Sequence, residues 1–155
     1  MVRDFREGDE EALYAVFHSA VHALAVPDYT PEQLAAWAPD IPELTGWTEK
    51  MRALRPFVAE DDRRIVGYAD LQPSGYIDHF YVSAAGARRG VGRALMQRIH
   101  ARAAELQLPQ LFADVSLTAE PFFERFGFRL VERKLAEVRG ARLQNARMLK
   151  DLAAR

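Results

Sequence analysis

The feature that most constrains this sequence is an apolar run followed at once by a basic segment that contains two glycines. Residues 76–82 (Tyr-Ile-Asp-His-Phe-Tyr-Val) predict a β-strand, and residues 87–95 (Ala-Arg-Arg-Gly-Val-Gly-Arg-Ala-Leu) predict a short turn that passes directly into a helix. Gly90 and Gly92 have no Cβ, so the backbone there can approach a ligand closely. The first amides of a helix have no intrahelical acceptors, and the helix dipole makes that end partly positive.

This junction therefore predicts a site for a phosphate or a pyrophosphate. Its full positive charges come from Arg88, Arg89 and Arg93. The spacing excludes a P-loop, which needs Lys and then Ser or Thr where Arg93 and Ala94 follow Gly92. It also excludes the dinucleotide fingerprint, because Leu95 stands where a third glycine is needed. One alternative stays open, in which the glycines form a plain turn before an arginine-rich, solvated helix.

Composition limits the class of protein. With 155 residues and 49% hydrophobic content, the chain suits a single domain over residues 1–155. The formal net charge of −1 does not indicate a nucleic-acid partner. The absence of cysteine excludes disulfides, thiolate metal ligands and a cysteine nucleophile. A charged N-terminus without an apolar leader, and no stretch of membrane-spanning length, predict a cytoplasmic protein with no membrane partner.

Hydrophobic periodicity and turn residues predict the order of strands and helices. Strands are expected at residues 2–6, 57–60, 65–71, 76–82, 111–116, 128–138 and 141–150. Helices are expected at residues 10–26, 31–38, 48–54 and 90–106, the second with Thr30 and Gln33 as a capping box. Two predicted hairpins interrupt the alternation of strand and helix, which excludes a doubly wound parallel sheet. The fold class is therefore α/β of the α+β type, with a mixed and mostly antiparallel sheet.

Two histidines of the first helix, His18 and His22, are four residues apart, which is a spacing found in metal sites. No third ligand lies near them in the sequence. We therefore expect them to lie on the helix surface or to line a pocket, and we predict no metal.

The glycine segment and a second motif together resemble the GNAT superfamily of acetyl-CoA-dependent N-acetyltransferases, with the character of an uncharacterised bacterial member. That family's loop, Gln/Arg-x-x-Gly-x-Gly/Ala, is filled here by residues 87–92, with Ala87 in place of the usual first residue. Residues 119–128 (Ala-Glu-Pro-Phe-Phe-Glu-Arg-Phe-Gly-Phe) resemble the pattern Ala-x-x-Phe/Leu-Tyr-x-x-x-Gly-Phe. The departure there is Phe123, which stands in place of the tyrosine.

The resemblance implies the GNAT fold, with helices on both faces of a sheet that is splayed at the cofactor site. The strand before the glycine loop would diverge from the strand after the long helix, and the pantetheine arm of acetyl-CoA, the expected co-substrate, would enter the gap. The implied cofactor-binding residues are Phe80, Tyr81, Val82, Arg88, Arg89, Gly90, Val91, Gly92, Arg93, Ala94 and Phe123. Backbone amides of residues 80–82 would hold pantetheine, and those of residues 88–94 would bind the pyrophosphate.

The resemblance also implies direct attack of an amine on the thioester. Asp78 is the expected general base, because strand alternation and the family pattern place it on the substrate side, whereas His79 would lie on the opposite face. Ser116 is a second catalytic candidate, with a role as N-cap of the next helix as its alternative. Phe123 has no proton to give the departing thiolate, so Ser116, Tyr81 or a water would serve, or no acid would be needed.

The predicted function is acetyl transfer from acetyl-CoA to a primary amine of a small molecule or peptide. The alternative is a non-catalytic acyl-CoA-binding regulatory module, which Ala87 and Phe123 favour. The acceptor pocket is expected from residues 21–51 and the terminal hairpin. Its aromatic candidates are His22, Tyr29, Trp37 and Trp47. A homodimer is left open.

Overall fold

Within residues 1–152, which this computed structural model describes, the strands form two four-stranded sheets. The strands are β1 (Val2–Asp4), β2 (Phe57–Asp61), β3 (Arg64–Ala69), β4 (Tyr76–Ile77), β5 (Phe80–Val82), β6 (Gln110–Ser116), β7 (Arg129–Val138) and β8 (Ala141–Asp151). The helices are α1 (Glu10–Ser19), α2 (Pro31–Trp37), α3 (Leu44–Leu54), α4 (Val91–Glu105) and α5 (Glu120–Arg125). The last residues of the predicted domain, 153–155, lie outside the described residues.

Strand pairing is mixed and mostly antiparallel, as predicted, but the strands form two sheets instead of one. The first has the order β1-β2-β3-β5, and its neighbours are all antiparallel. The second has the order β4-β6-β8-β7, in which only the β4–β6 pair is parallel within the described residues. The terminal hairpin of β7 and β8 is confirmed.

Helices cover both faces of the sheets, which is why neighbouring strand residues enter different cores. One apolar cluster packs α4 and α5 against residues of both sheets, and includes Leu95, Ile99, Leu111, Phe123 and Met148. The other packs α1, with α3 beside it, against the first sheet and α2 against β8, and includes Leu13, Phe17, Met51, Val58 and Tyr68. Strand alternation sends Val58 into the second cluster and Ala59 into the first.

Local hydrogen bonds explain where the helices begin. The predicted capping box is confirmed, since Thr30 Oγ1 accepts from the Gln33 amide and Gln33 Oε1 accepts from the Thr30 amide. α3 begins at Leu44, earlier than predicted, because the Glu43 carboxylate accepts from the Gly46 amide. α1 does not continue regularly toward Pro27, but widens into a π-helical turn at Ala20–Leu24.

The prediction of one continuous strand over residues 76–82 is wrong. β4 pairs in parallel with β6 in the second sheet, whereas β5 pairs with β3 in the first sheet. The chain therefore leaves one sheet for the other at Asp78 and His79. As a result β5 diverges from β6, and the predicted gap between the strands before and after the long helix lies between these two.

Asp70 accounts for this break. Its Oδ1 accepts the backbone amides of Asp78, at 2.8 Å, and of His79, at 2.7 Å, so neither amide needs a partner strand. The Asp70 side chain is buried, and burial raises the pKa of its carboxyl from 3.8 to about 6, against the opposing effect of the amide hydrogen bonds.

The glycine segment passes directly into α4, as predicted, but an extra turn separates it from β5. A 3₁₀ turn at Ala84–Gly86 follows β5, and Ser83 Oγ accepts from the Gly86 amide at its start. α4 then begins at Val91 after Gly90, whose φ of 80° is left-handed. The extra turn moves the helix start away from the end of β5.

We expect Asp70→Asn to change how stability depends on pH. Because folding raises the pKa of Asp70, this group stabilises the fold at low pH and loses that contribution as the pH rises through about 6. Asparagine keeps an acceptor oxygen for the two amides but does not titrate. Relative to Asp70→Asn, the free energy of unfolding of the wild type should therefore rise by about 1.4 kcal/mol from about pH 8 to about pH 5.

Urea unfolding of the wild type and of Asp70→Asn at the two pH values measures this difference. The contributions of the other titrating groups are the same in both proteins and cancel. Asp70→Ala is the control, because loss of the acceptor leaves two amides unpaired and should cost about 1–3 kcal/mol or more at both pH values. A pH-independent difference between wild type and Asp70→Asn would contradict a raised pKa.

Candidate functional site

A large cleft of about 440 Å³ opens along β5, the start of α4 and α5. The predicted cofactor-binding residues in its walls are Phe80, Tyr81, Val82, Arg88, Gly90, Val91, Gly92, Arg93 and Phe123. The π-helical turn contributes Ala20 and Leu24 to the same cleft. π-Helical turns are rare and occur often at functional sites.

The start of α4, at the rim of this cleft, has the features of an anion site. The amides of Val91, Gly92 and Arg93 donate to no acceptor within residues 1–152. In the turn before them, Arg88 (φ 62°) and Gly90 (φ 80°) are left-handed, and such alternation directs successive amides toward one side. The dipole of a 15-residue helix adds partial positive charge at the same point.

Gly92 is needed for a close contact rather than for a positive φ. A Cβ at this position would lie 3.0 Å from Cε1 of Phe122. The Phe122 ring lines the large cleft and packs beside Phe80, with 5.3 Å between the ring centroids. A side chain at position 92 would therefore displace a wall of the cleft.

Two predicted cofactor-binding residues do not line the large cleft. The guanidinium of Arg89 is 3.1 Å from Asp61 Oδ2, in an ion pair that directs it elsewhere. The amide of Ala94 donates to the Gly90 carbonyl at 3.0 Å, so it is already used within the helix. Ala94 therefore does not belong with the amides of residues 88–94 that were predicted to bind the pyrophosphate.

The outer edge of β5 faces the gap between the sheets, since β5 is the last strand of the order β1-β2-β3-β5. The backbone amide of Ser83 donates to the Val66 carbonyl at 2.9 Å, and the backbone amide of Asp70 donates to the His79 carbonyl at 3.1 Å. In the alternating antiparallel pattern, the backbone groups of Tyr81 therefore also face β3. The backbone groups that face the gap belong to Phe80 and Val82. Of the residues 80–82 predicted to hold pantetheine by their amides, only these two therefore have a free amide.

A smaller cleft of about 190 Å³ adjoins the large one. The side chains or backbone of six residues line both: Trp37, Phe80, Tyr81, Ser116, Ala119 and Phe123. The two clefts therefore meet where β5 and β6 diverge. Molecules bound in the two clefts would come into contact there.

Only some of the predicted aromatic acceptor residues line the smaller cleft. Tyr29 and Trp37 line the cleft. Trp47 stacks on Phe17 with 5.3 Å between ring centroids, and His22 Nε2 lies 2.6 Å from the Ala38 carbonyl oxygen. These last two residues do not line the smaller cleft.

Asp78 lies in the wall of the smaller cleft and is partly exposed. Its Oδ2 is 3.1 Å from Lys50 Nζ, on α3. No sequence pattern indicates Lys50, because the contact joins segments that are far apart in the chain. Any role of Asp78 as a base must therefore include the loss or exchange of this ammonium partner.

Ser116 lies at the shared rim of the two clefts, and its Oγ accepts from the Ala119 amide at 3.1 Å. Helix α5 has Ala119 at its N-cap, so Ser116 closes the preceding turn instead of forming the cap itself. The predicted N-cap role is therefore wrong, and the catalytic role stays a prediction, since a hydroxyl that accepts one bond can still donate another.

His79 lines neither cleft. Its Nδ1 is 2.9 Å from the Tyr68 hydroxyl, and its ring lies among the rings of Phe17, Trp47 and Tyr81. Burial lowers the pKa of His79 to about 4, so the imidazole is neutral at physiological pH. Its position in the core agrees with the expected opposite face and does not suit a base.

Phe123 is buried and lines both clefts. Its ring packs beside Phe80 and Phe128, with centroid distances of 5.5 and 5.0 Å. The wall at this point is apolar, without a phenol group. Burial raises the pKa of the nearby Tyr81 hydroxyl, which keeps that phenol protonated.

Asn145, which the sequence did not single out, contributes a polar atom to the smaller cleft. Its Oδ1 is buried and has no hydrogen-bond partner within residues 1–152. Asn145 pairs with Ser116 across β6 and β8, so it lies beside the shared rim. Buried acceptors are rarely left unpaired, and an N–H of a bound molecule would satisfy this one.

Long-range hydrogen bonds hold the remaining wall in place. The Tyr29 hydroxyl donates to the Gln144 carbonyl at 2.6 Å and accepts from the Leu117 amide at 2.9 Å. Gln33 Nε2 donates to the Arg142 carbonyl at 2.8 Å. These bonds dock α2, and with it Trp37, against the terminal hairpin.

None of the helices in residues 1–152 combines the length and apolar character needed to cross a membrane. Residues 25–150 match the family described as acetyltransferase (GNAT) domain. The chain is 37% identical over 144 residues to the uncharacterized N-acetyltransferase YafP of Escherichia coli K12, covering 93% of this chain and 91% of that protein.

Solved structures of N-acetyltransferases have a similar fold. A GCN5-related N-acetyltransferase from Rhodopseudomonas palustris is 26% identical with a TM-score of 0.93, covering 98% of this chain and 95% of that one. The PaiA N-acetyltransferase from Thermoplasma acidophilum, solved in complex with coenzyme A, is 13% identical with a TM-score of 0.74 and covers 98% of both chains.

Proposed function

This chain belongs to the GNAT family of acetyltransferases, and from that premise we propose that it transfers the acetyl group of acetyl-CoA to a primary amine by direct attack. The observation that carries the proposal is the meeting of two clefts at six shared residues. The large cleft begins at a helix start suited to an anion, as a pyrophosphate-bearing donor requires. The smaller cleft holds a carboxylate and an unpaired amide oxygen, which suit an amine.

The donor side fits this co-substrate because of its free backbone groups. The unpaired amides of residues 91–93 would bind the pyrophosphate, and Arg88 and Arg93 would add full charges. The outward backbone groups of Phe80 and Val82 would pair with the amides of pantetheine, as an added strand does. Bound acetyl-CoA supplies an activated thioester carbonyl and a thiol leaving group. An amide of β5 directed at the thioester oxygen would stabilise the negative charge that develops there.

The acceptor side must deliver a neutral amine. Alkyl amines are protonated at neutral pH, so a base has to take a proton before attack. Asp78 would serve as this base, and an incoming ammonium would displace Lys50 from its carboxylate. Asn145 Oδ1 would accept an N–H and orient the nitrogen. The small volume of this cleft favours a small amine or the end of an amine-bearing side chain.

The rival function is a non-catalytic acyl-CoA-binding regulator, which Phe123 and Ala87 favour. Detection of free CoA thiol during incubation with acetyl-CoA and a panel of amines and lysine-containing peptides separates the two. An acetyltransferase releases thiol faster when an amine is present. Tight CoA binding with no amine-dependent release from a broad panel would support the regulator. Residues of one chain line both clefts, and neither the described residues nor the comparisons support the homodimer. The cytoplasmic location stays a prediction.

Gly92→Val should weaken CoA binding at least about tenfold, because the new side chain displaces Phe122 at the start of α4. Calorimetric titration with CoA measures the change. Ala101→Val is the matched control, since it places the same β-branched residue on the exposed side of the same helix. Wild-type affinity in Gly92→Val would contradict the position of the pyrophosphate site.

Asp78→Asn should lower kcat/KM for the amine about 100-fold, the low end for loss of a general base, with CoA affinity unchanged. Asp114→Asn is the comparison, because Asp114 lines the same cleft but is held by Arg147 Nε at 2.7 Å. Its loss should be clearly smaller. Equal losses, or a pH–rate profile of Asp78→Asn that matches the wild type, would show that Asp78 does not take the proton.

Phe123→Tyr should give no gain in kcat, because departure of a thiolate needs little help from an acid. The added hydroxyl would enter an apolar wall and should cost about 1–3 kcal/mol of stability if it finds no partner. Phe128→Tyr adds the same hydroxyl to a buried ring that lines neither cleft, and so measures the stability cost alone. A reproducible several-fold rise in kcat for Phe123→Tyr alone would show that an acid is missing from the natural site.

A further inference from the structure

Three side chains able to bind a metal converge outside both clefts. They are His18, His22 and Asp40, and one ligand atom of each lies within 4.8 Å of the others. His18 lies in the last turn of α1, His22 lies in the π-helical turn, and Asp40 follows α2. The sequence prediction of no metal depended on the lack of a third ligand. The fold brings Asp40 to that position.

The distances between the three side chains are close to those between the ligands of a bound metal ion. His18 Nε2 is 2.7 Å from Asp40 Oδ1, and the rings of His18 and His22 stack with 4.1 Å between centroids. Ligands of a tetrahedral zinc ion, at about 2.0–2.2 Å from the metal, lie roughly 3.3 Å from one another. A small displacement of the exposed Asp40 side chain would open the present contact to that spacing.

Neighbouring hydrogen bonds already orient the ligands. His22 Nε2 is 2.6 Å from the Ala38 carbonyl oxygen, and a proton donated there leaves the Nδ1 lone pair of His22 free. Metal-binding histidines usually donate their second nitrogen to a carbonyl or carboxylate in this way. The Tyr14 hydroxyl donates to the Pro39 carbonyl, which holds the segment before Asp40 against α1.

We infer that His18, His22 and Asp40 form a binding site for a divalent transition-metal ion, with zinc as the best match. Two imidazoles and one carboxylate form a ligand set that suits zinc and leaves a fourth position for water. Calcium and magnesium fit poorly, because they take oxygen ligands. The ion ties the end of α1 to the segment after α2. Trp37, the last residue of α2, lines both clefts, so the ion also fixes one of their walls.

Calorimetric titration of the full chain with zinc chloride tests the site without any acetyl transfer. Wild type should bind a single zinc ion per chain, and His18→Gln and Asp40→Asn should each bind at least about tenfold more weakly. His100→Gln is the matched control and should bind as the wild type does. His100 lies on α4, where its Nδ1 is 2.8 Å from the Met96 carbonyl oxygen.

The absence of zinc binding to the wild type up to about 1 mM, or equal affinity in Asp40→Asn and wild type, would overturn the site. In the second case the histidine pair alone would bind the ion. Circular dichroism without metal checks that each variant folds. If His18→Gln fails to fold, the visible absorption of bound cobalt(II) in wild type and Asp40→Asn decides. Loss of a tetrahedral cobalt spectrum in Asp40→Asn supports the carboxylate as a ligand, and an unchanged spectrum excludes it.

Discussion

The carboxylate of Asp70 is the interaction on which the rest of this structure depends. A strand that runs on through Asp78 and His79 would belong to one sheet, and β5 and β6 would lie side by side with no gap. Because Asp70 Oδ1 accepts both amides, the chain can change sheets there without leaving buried donors unpaired. The free edge of β5 and the junction of the two clefts both follow from that change. The pKa of Asp70 is raised because this acceptor is buried away from water.

Local signals predicted the elements of this fold well, and failed where a distant residue decides the outcome. The Thr30 capping box and the terminal hairpin depend on neighbouring residues, so their patterns were sufficient. The break in residues 76–82 depends on a carboxylate eight residues earlier in the chain. An acidic residue at the end of the apolar strand β3 was the available signal for it. Alternation alone treats such a run as continuous.

The candidate site likewise combines features that a local sequence pattern predicts with features that only tertiary contacts create. The glycine loop was recognisable because free amides and a missing Cβ are properties of the local backbone. The side-chain partners of its residues were not, since Arg89 turns to Asp61 and Asp78 meets Lys50 only through tertiary contacts. Asn145 carried no motif at all. Its significance comes from an oxygen that the fold buries beside Ser116 without a partner.

The bonds of Tyr29 have a consequence for the order in which the protein assembles. They span 115 and 88 residues of sequence, whereas most of the large cleft comes from residues 80–125. Contacts of large sequence separation carry a higher loop-closure cost and tend to form late. The same contacts are candidates to open first in partial unfolding. This wall of the smaller cleft therefore belongs to the least local part of the fold, and its opening would also move Trp37, which lines both clefts.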